Sequence, residues 1–176
     1  LGYTVSIINK LMRQIMCGIV GYCGDREAAG ILVEGLKRLE YRGYDSAGIS
    51  VGFENKLSLF KKKGKISNLQ SILPEKIPGN NGIGHTRWAT HGEVDDLKAH
   101  PHTDASGDLD FVHIGLIENY ISLRNKLIKE GYEFKSETDS EVVAHLISKY
   151  YEGDLEKAVK NALFHLKGTY GIVAVH

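Results

Sequence analysis

Hydrophobic and polar positions after Met16 fall into short apolar runs separated by longer amphipathic stretches. Runs at Cys17–Cys23, Ala47–Phe53, Leu57–Lys62, Ile83–Trp88, Leu109–Gly115 and Thr169–Val175 read as strands. Between 25 and 39 the spacing turns helical, with Ala28, Ile31, Leu32, Val33, Leu36 and Leu39 on the apolar side and Asp25 placed to cap the start. Further helices are expected over Tyr120–Lys129, Ser140–Tyr151 and Leu155–Leu166. Thr138-Asp139-Ser140-Glu141 has the spacing of a capping box. Glu54-Asn55-Lys56 reads as a hairpin turn. Strand-rich ends around a helical middle imply an α+β domain of packed sheets with helices outside. The pattern does not give the strand order.

Composition narrows the class. At 176 residues the chain suits one domain with a real core. Lys plus Arg and Asp plus Glu balance at 22 each, so no charge excess favours nucleic acid or an anionic membrane. No apolar run is long enough to span a bilayer. Residues 1–15 do not read as a signal peptide, because Lys10 and Arg13 follow the apolar run and no small-residue cleavage site appears. Cys17 and Cys23 form neither a zinc spacing nor a disulfide framework, which favours a reducing, cytoplasmic setting.

Candidate chemistry starts at Met16-Cys17. If Met16 is an initiator, its removal leaves Cys17 with a free α-amine, a base near neutrality that can take the thiol proton. An internal cysteine has only an amide nitrogen there and reads as a small buried apolar residue. Arg87-Trp88-Ala89-Thr90-His91-Gly92 combines a cation suited to a carboxylate, a large aromatic, a hydroxyl and a hinge. It reads either as a loop that clasps an amino acid and excludes water, or as a solvated loop whose Trp packs on the core. His85, His91, His100 and His102 are imidazoles of the kind that suit zinc, but their spacing matches no zinc pattern, and His100-Pro101-His102 reads as an extended turn. Asp139 suits a substrate ammonium, or a helix cap. Arg42, in Tyr41-Arg42-Gly43-Tyr44-Asp45, reads as a loop-bracing arginine.

CGIVGY at 17–22, LEYRGYDSAG at 39–48, HTRWATHG at 85–92, AHPH at 99–102 and SETDSEVVAHL at 136–146, with VHIGLIENY at 112–120, resemble the glutamine–fructose-6-phosphate aminotransferase (glucosamine-6-phosphate synthase) family. The resemblance covers 16–176. Amidophosphoribosyltransferases and asparagine synthetases share the N-terminal cysteine but are not expected to show RGYDSAG together with TRWATHG and AHPH. The resemblance implies a class II glutamine amidotransferase domain, a four-layer αββα sandwich of the N-terminal-nucleophile hydrolase type. Such a domain hydrolyses glutamine, and the ammonia passes to an isomerase half that converts fructose 6-phosphate to glucosamine 6-phosphate. By position Cys17 matches the nucleophile. Arg87 matches the holder of the glutamine α-carboxylate, with Thr90 and His91 in the same closing loop, and Asp139 matches the partner of the ammonium. Gly115 matches an oxyanion N–H and a second contact to that ammonium. Trp88 looks like a gate and Arg42 like a brace of the nucleophile strand. No cofactor and no metal are expected; the full-length protein is expected to be a homo-oligomer.

Three departures qualify this. The family has Asn-Gly where this chain has Ile114-Gly115, and that Asn supplies the second oxyanion donor. Fifteen residues and a methionine precede Cys17, and residue 1 is Leu, so residues 1–15 are expected to lie outside the domain. The chain stops at His176, inside what the family makes a longer domain, so the sandwich is expected to be incomplete at the C-terminus. A catalytically impaired or inactive remnant, or a binding-only version, of the same domain is the alternative these departures leave.

Overall fold

The computed structural model describes residues 17–88 and 95–176. In chain order the elements are β1 (Gly18–Cys23), α1 (Ala28–Leu39), a 3-10 turn (Glu40–Arg42), β2 (Ser46–Phe53), β3 (Lys56–Lys63), α2 (Ile66–Gln70) and β4 (Asn81–Arg87). They continue with β5 (His102–Thr103), β6 (Asp110–Ile117), α3 (Tyr120–Lys129), α4 (Asp139–Lys149), α5 (Leu155–Leu163) and β7 (Gly168–Val175). The expected strands and long helices all form. The pattern missed α2 and β5, which are too short to show a period.

Two antiparallel sheets result, β1-β4-β2-β3 and β5-β6-β7. Strand parity decides what each face meets. On β2, Ala47, Ile49 and Val51 pack with Leu32 and Leu36 of α1. Ser50, on the other face, donates through its hydroxyl to Asp110 of β6. The second sheet packs Phe111 and Ile117 against Val143, Ala144 and Ile147 of α4 and Ala158 and Ala162 of α5. The layers are therefore helix, sheet, sheet, helix: an α+β sandwich.

Local details depart from expectation. Asp25 does not cap α1. The helix starts at Ala28 behind Glu27 with no side-chain cap. Instead Ala28 N–H donates to Gly79 O at 2.8 Å. Gly79 holds φ +135°, and a Cβ there would lie 2.4 Å from Gly52 O, so only glycine can present that carbonyl. The hairpin turn is two residues, not three: Glu54 and Asn55 both have positive φ, 47° and 59°, the geometry that matches strand twist, and Lys56 already belongs to β3. The helices expected to end at Tyr151 and Leu166 end at Lys149 and Leu163. After α5 the chain tightens into i→i−3 bonds from His165 and Leu166, so Leu166 stays buried and keeps the apolar period beyond the helix.

Candidate active site

Cys17 immediately precedes β1, whose Gly18 pairs with Thr86. Parity puts residues 17, 19 and 21 on the face turned to the second sheet, in line with the approach of Gly21 to Val173. Trp88 N–H donates to Cys17 Sγ at 3.4 Å. Burial pushes the thiol pKa up, while the Trp88 N–H and the Arg87 guanidinium pull it down. Cys23 lies at the far end of β1 and is exposed.

Arg87 ends β4. Its Nη1 is buried with no hydrogen-bond partner among the described residues. A guanidinium N–H buried without a partner is costly, and a carboxylate would satisfy it. The stretch 42–45 runs against this strand end. Asp45 N–H donates to Arg87 O at 3.1 Å. A Cβ on Gly43 would lie 2.8–2.9 Å from the Arg87 and Trp88 backbone, so glycine is what permits that approach. The Tyr44 and Trp88 rings meet edge to face at 5.3 Å. Arg42 sits half-buried on the 3-10 turn before Gly43.

The second group lies on β6 and α4. Gly115 has φ +128°, and a Cβ there would lie 2.0 Å from Thr169 O, so no other residue fits. Ile114 shares strand parity with Asp110, whose carboxylate meets Ser50, and so faces the four-stranded sheet. Asp139 is the first residue of α4 and is not its cap. Thr138 caps, its Oγ1 accepting from Glu141 N–H at 3.3 Å. The capping box is only half made. The Glu141 carboxylate accepts from Lys135 N–H and Ser136 N–H, each at 2.6 Å, instead of returning to Thr138 N–H. Asp139 is thereby left to bind elsewhere: its Oδ2 accepts from Ile117 N–H at 3.1 Å, tying α4 to the strand that carries Gly115.

One bond joins the two groups. His85 Nε2–H donates to His113 O at 3.1 Å, linking β4 two residues before Arg87 to β6 two residues before Gly115. Cys17, Arg87 and Trp88 are thus brought together, Gly115 and Asp139 are brought together, and His85 bridges them. Met16, Thr90 and His91 lie outside the described residues.

Sequence reasoning missed His113, Ser140 and Lys61. Of the four histidines weighed as ligands, His85, His100 and His102 do converge: His85 and His100 stack at 4.2 Å and His100 meets His102 at 4.7 Å. Burial pushes His85 and His102 down to about 3, so these rings stay neutral. Among the described residues no group of three His, Cys, Asp or Glu side chains is arranged to hold a metal. Lys61 Nζ donates to the carbonyls of Leu97, Ala99 and Pro101 at 3.3, 3.0 and 3.4 Å, fixing the segment that leads into His100. The five histidines between 85 and 113 in the sequence were the available signal, but sequence alone gave them no common partner.

The four-layer antiparallel sandwich is shared with solved glutamine amidotransferases of the N-terminal-nucleophile type. Residues 85–176 match the glutamine amidotransferase domain family, and the chain belongs to that family. Among relatives, the glutamine–fructose-6-phosphate aminotransferase [isomerizing] of Clostridium perfringens is 56% identical over 158 residues, 89% of this chain and 26% of that protein. The protein of the same name from Clostridium acetobutylicum is 54% identical over the same shares. A solved glutamine phosphoribosylpyrophosphate amidotransferase from B. subtilis superposes with a TM-score of 0.79 at 32% identity, covering 91% of this chain and 35% of that one. The chain spans about a quarter of the length of the curated relatives it matches. No helix among the described residues is long and apolar enough to cross a membrane.

Proposed function

We propose that this chain is the glutamine-hydrolysing part of an enzyme that transfers the released ammonia to fructose 6-phosphate, forming glucosamine 6-phosphate. The carrying observation is the placement of Cys17 beside Arg87, whose buried Nη1 has no partner among the described residues. Names shared by relatives above 50% identity support the same substrate pair. Residues 16–176 are the domain part and 1–15 lie outside it. Two unpaired cysteines support a cytoplasmic setting, and the full-length protein is taken as a homo-oligomer.

Once residues through Met16 are removed, the α-amine of Cys17 accepts the thiol proton. Sγ attacks the carboxamide carbon, and charge develops on its oxygen. Gly115 N–H stabilises that charge. The C–N bond breaks, ammonia leaves with a proton returned by the α-ammonium, and water then cleaves the thioester. Arg87 holds the glutamine α-carboxylate and Asp139 its ammonium, with Gly115 as a second contact to that ammonium. Thr90 and His91 close over the substrate, Trp88 gates the site, and Arg42 braces the nucleophile strand. Ile114 stands where the family has an oxyanion-donating Asn, so it slows this reaction without changing what it is.

The test uses protein translated from Met16. Mass spectrometry is expected to show loss of the methionine, after which a glutamine-analogue alkylator labels Cys17 and spares Cys23. Equal labelling of the unprocessed chain 1–176 would overturn the proposal.

A further inference from the structure

Ser140 follows Asp139 on α4 and is 2% exposed. Its hydroxyl is the meeting point of three side chains. His113 Nδ1 lies at 3.0 Å, His100 Nε2 at 3.2 Å and Asp139 Oδ1 at 3.5 Å. The proton directions follow from the backbone partners. His113 N–H donates to His100 Nδ1 at 3.4 Å, so that nitrogen is bare. Burial keeps the His100 ring neutral, so its hydrogen sits on Nε2 and donates to Ser140 Oγ. The Asp139 carboxylate can only accept, so the serine hydroxyl donates to it and in turn accepts from His113 Nδ1–H. One hydroxyl then accepts twice and donates once, its full capacity. His113 Nε2 is left as a bare lone pair, in keeping with its lack of a partner among the described residues.

Asp139 is thereby held at both oxygens, Oδ2 by Ile117 N–H and Oδ1 by Ser140. We infer that Ser140 is a positioning residue of the glutamine site: its hydroxyl fixes the Asp139 carboxylate against the β6 segment that carries Gly115. This rests on the glutaminase reading above. Without the hydroxyl, Asp139 can rotate away from the substrate ammonium, and two buried imidazole N–H donors lose their acceptor. The effect falls on binding, because the ammonium is present equally in ground state and transition state.

The test compares Ser140→Ala, Ser140→Val and Ser140→Thr in the intact protein processed to Cys17, after a cooperative melt confirms folding. Two quantities are read: KM for glutamine, and the Kd of L-glutamate by calorimetry, which needs no turnover. Ala and Val are expected to raise both by about tenfold with kcat within about threefold, while Thr, matched to Val in shape, stays within about twofold of the parent. If Ala and Val do not fold, Ser140→Cys, a weak donor of similar size, carries the same expectation. Folded Ala and Val proteins with unchanged KM and Kd would overturn the positioning role alone. A parent protein that neither binds L-glutamate nor hydrolyses glutamine would overturn this inference together with the glutaminase reading.

Discussion

The two outer layers of the sandwich and the seam between its sheets are built from opposite materials. Outside, Leu32, Leu36, Ile49 and Val51 on one side and Phe111, Val143, Ile147 and Ala158 on the other are almost wholly buried and aliphatic or aromatic. Along the seam, Ser50 meets Asp110 and His85 stacks on His100, which reaches on to Ser140 at the start of α4, where His113 joins it from the helix side of β6. The outer layers gain free energy in proportion to apolar area, roughly 1.5–3 kcal/mol for each large side chain buried. The seam gains little net, because each hydrogen bond replaces one to water, and it carries a buried atom, His85 Nδ1, without a partner among the described residues. Its product is placement: every candidate site residue among the described ones lies on an element that the seam holds or adjoins.

Acid should separate the two regions most. His85 and His102 sit at about 3 in the fold against an ordinary histidine value of 6.5. Between those values the unfolded chain binds more protons than the folded one. Stability is therefore full above 6.5 and is lost as pH falls through the window, by up to about 1.4 kcal/mol per pH unit for each ring. Glu141 works in the same direction lower down. Burial opposes its charge, but the His145 ring 3.6 Å away and hydrogen bonds from Ser136 and the Lys135 N–H hold it at about 2 against 4.5, so its contribution is lost between those values. Urea melts from pH 7 to 4 are expected to show a steady fall in midpoint. A flat profile would mean that the seam opens and hydrates without unfolding the outer layers.

Leu36→Ala should cost about 2–5 kcal/mol, since Leu36 is fully buried beneath Gly84 and the cavity cannot close against strand backbone. Urea denaturation reads this directly. KM for glutamine in the folded fraction should stay at its parent value. A KM change larger than the stability change would break the division of labour between the two regions.

Ile114→Asn should act in the opposite way. Parity turns position 114 toward the four-stranded sheet, the side on which the proposed hydrolysis develops charge, and isoleucine donates nothing there. An added amide donor is expected to raise kcat by about 10²-fold or more, with KM little moved because the proposed function gives the ends of glutamine to Arg87 and Asp139. Steady-state kinetics on the protein processed to Cys17 measure both. An unchanged kcat would show that another group already fills the oxyanion position.

The outer layers were legible in the sequence and the seam was not, for a physical reason. Ala28, Leu32, Val33 and Leu36 repeat at helical spacing because one face must be buried, and that repeat is written in the chain itself. The identity of Cys17, Arg87, Gly115 and Asp139 as candidates came from local motifs, and the fold brings them together in two bridged groups. What the polar contacts around the site do depends on partners far apart in sequence: His113 with Ser140, Lys61 with Pro101, Ile117 with Asp139. Nothing periodic announces such pairs. The same limit explains Asp25, a good cap by type that lost to the distant carbonyl of Gly79, and Glu141, which the capping-box spacing aimed at Thr138 but which turns to Lys135 and Ser136 instead.

Thr138 stands at the border of the two regions and gives the smallest and most discriminating test. Its hydroxyl caps α4, an outer-layer role, and it also lies 3.3 Å from His102 Nε2 on the seam. Thr138→Ala should cost about 1 kcal/mol of stability through the lost cap, and Thr138→Ser should cost little, since serine caps at least as well. KM for glutamine should not follow, because Asp139 keeps its bonds to Ile117 N–H and Ser140 when the cap is gone. Denaturation and steady-state kinetics on the same samples decide the matter. If Thr138→Ala instead raises KM as Ser140→Ala is expected to, then the helix start itself, and not the serine hydroxyl, sets where Asp139 points.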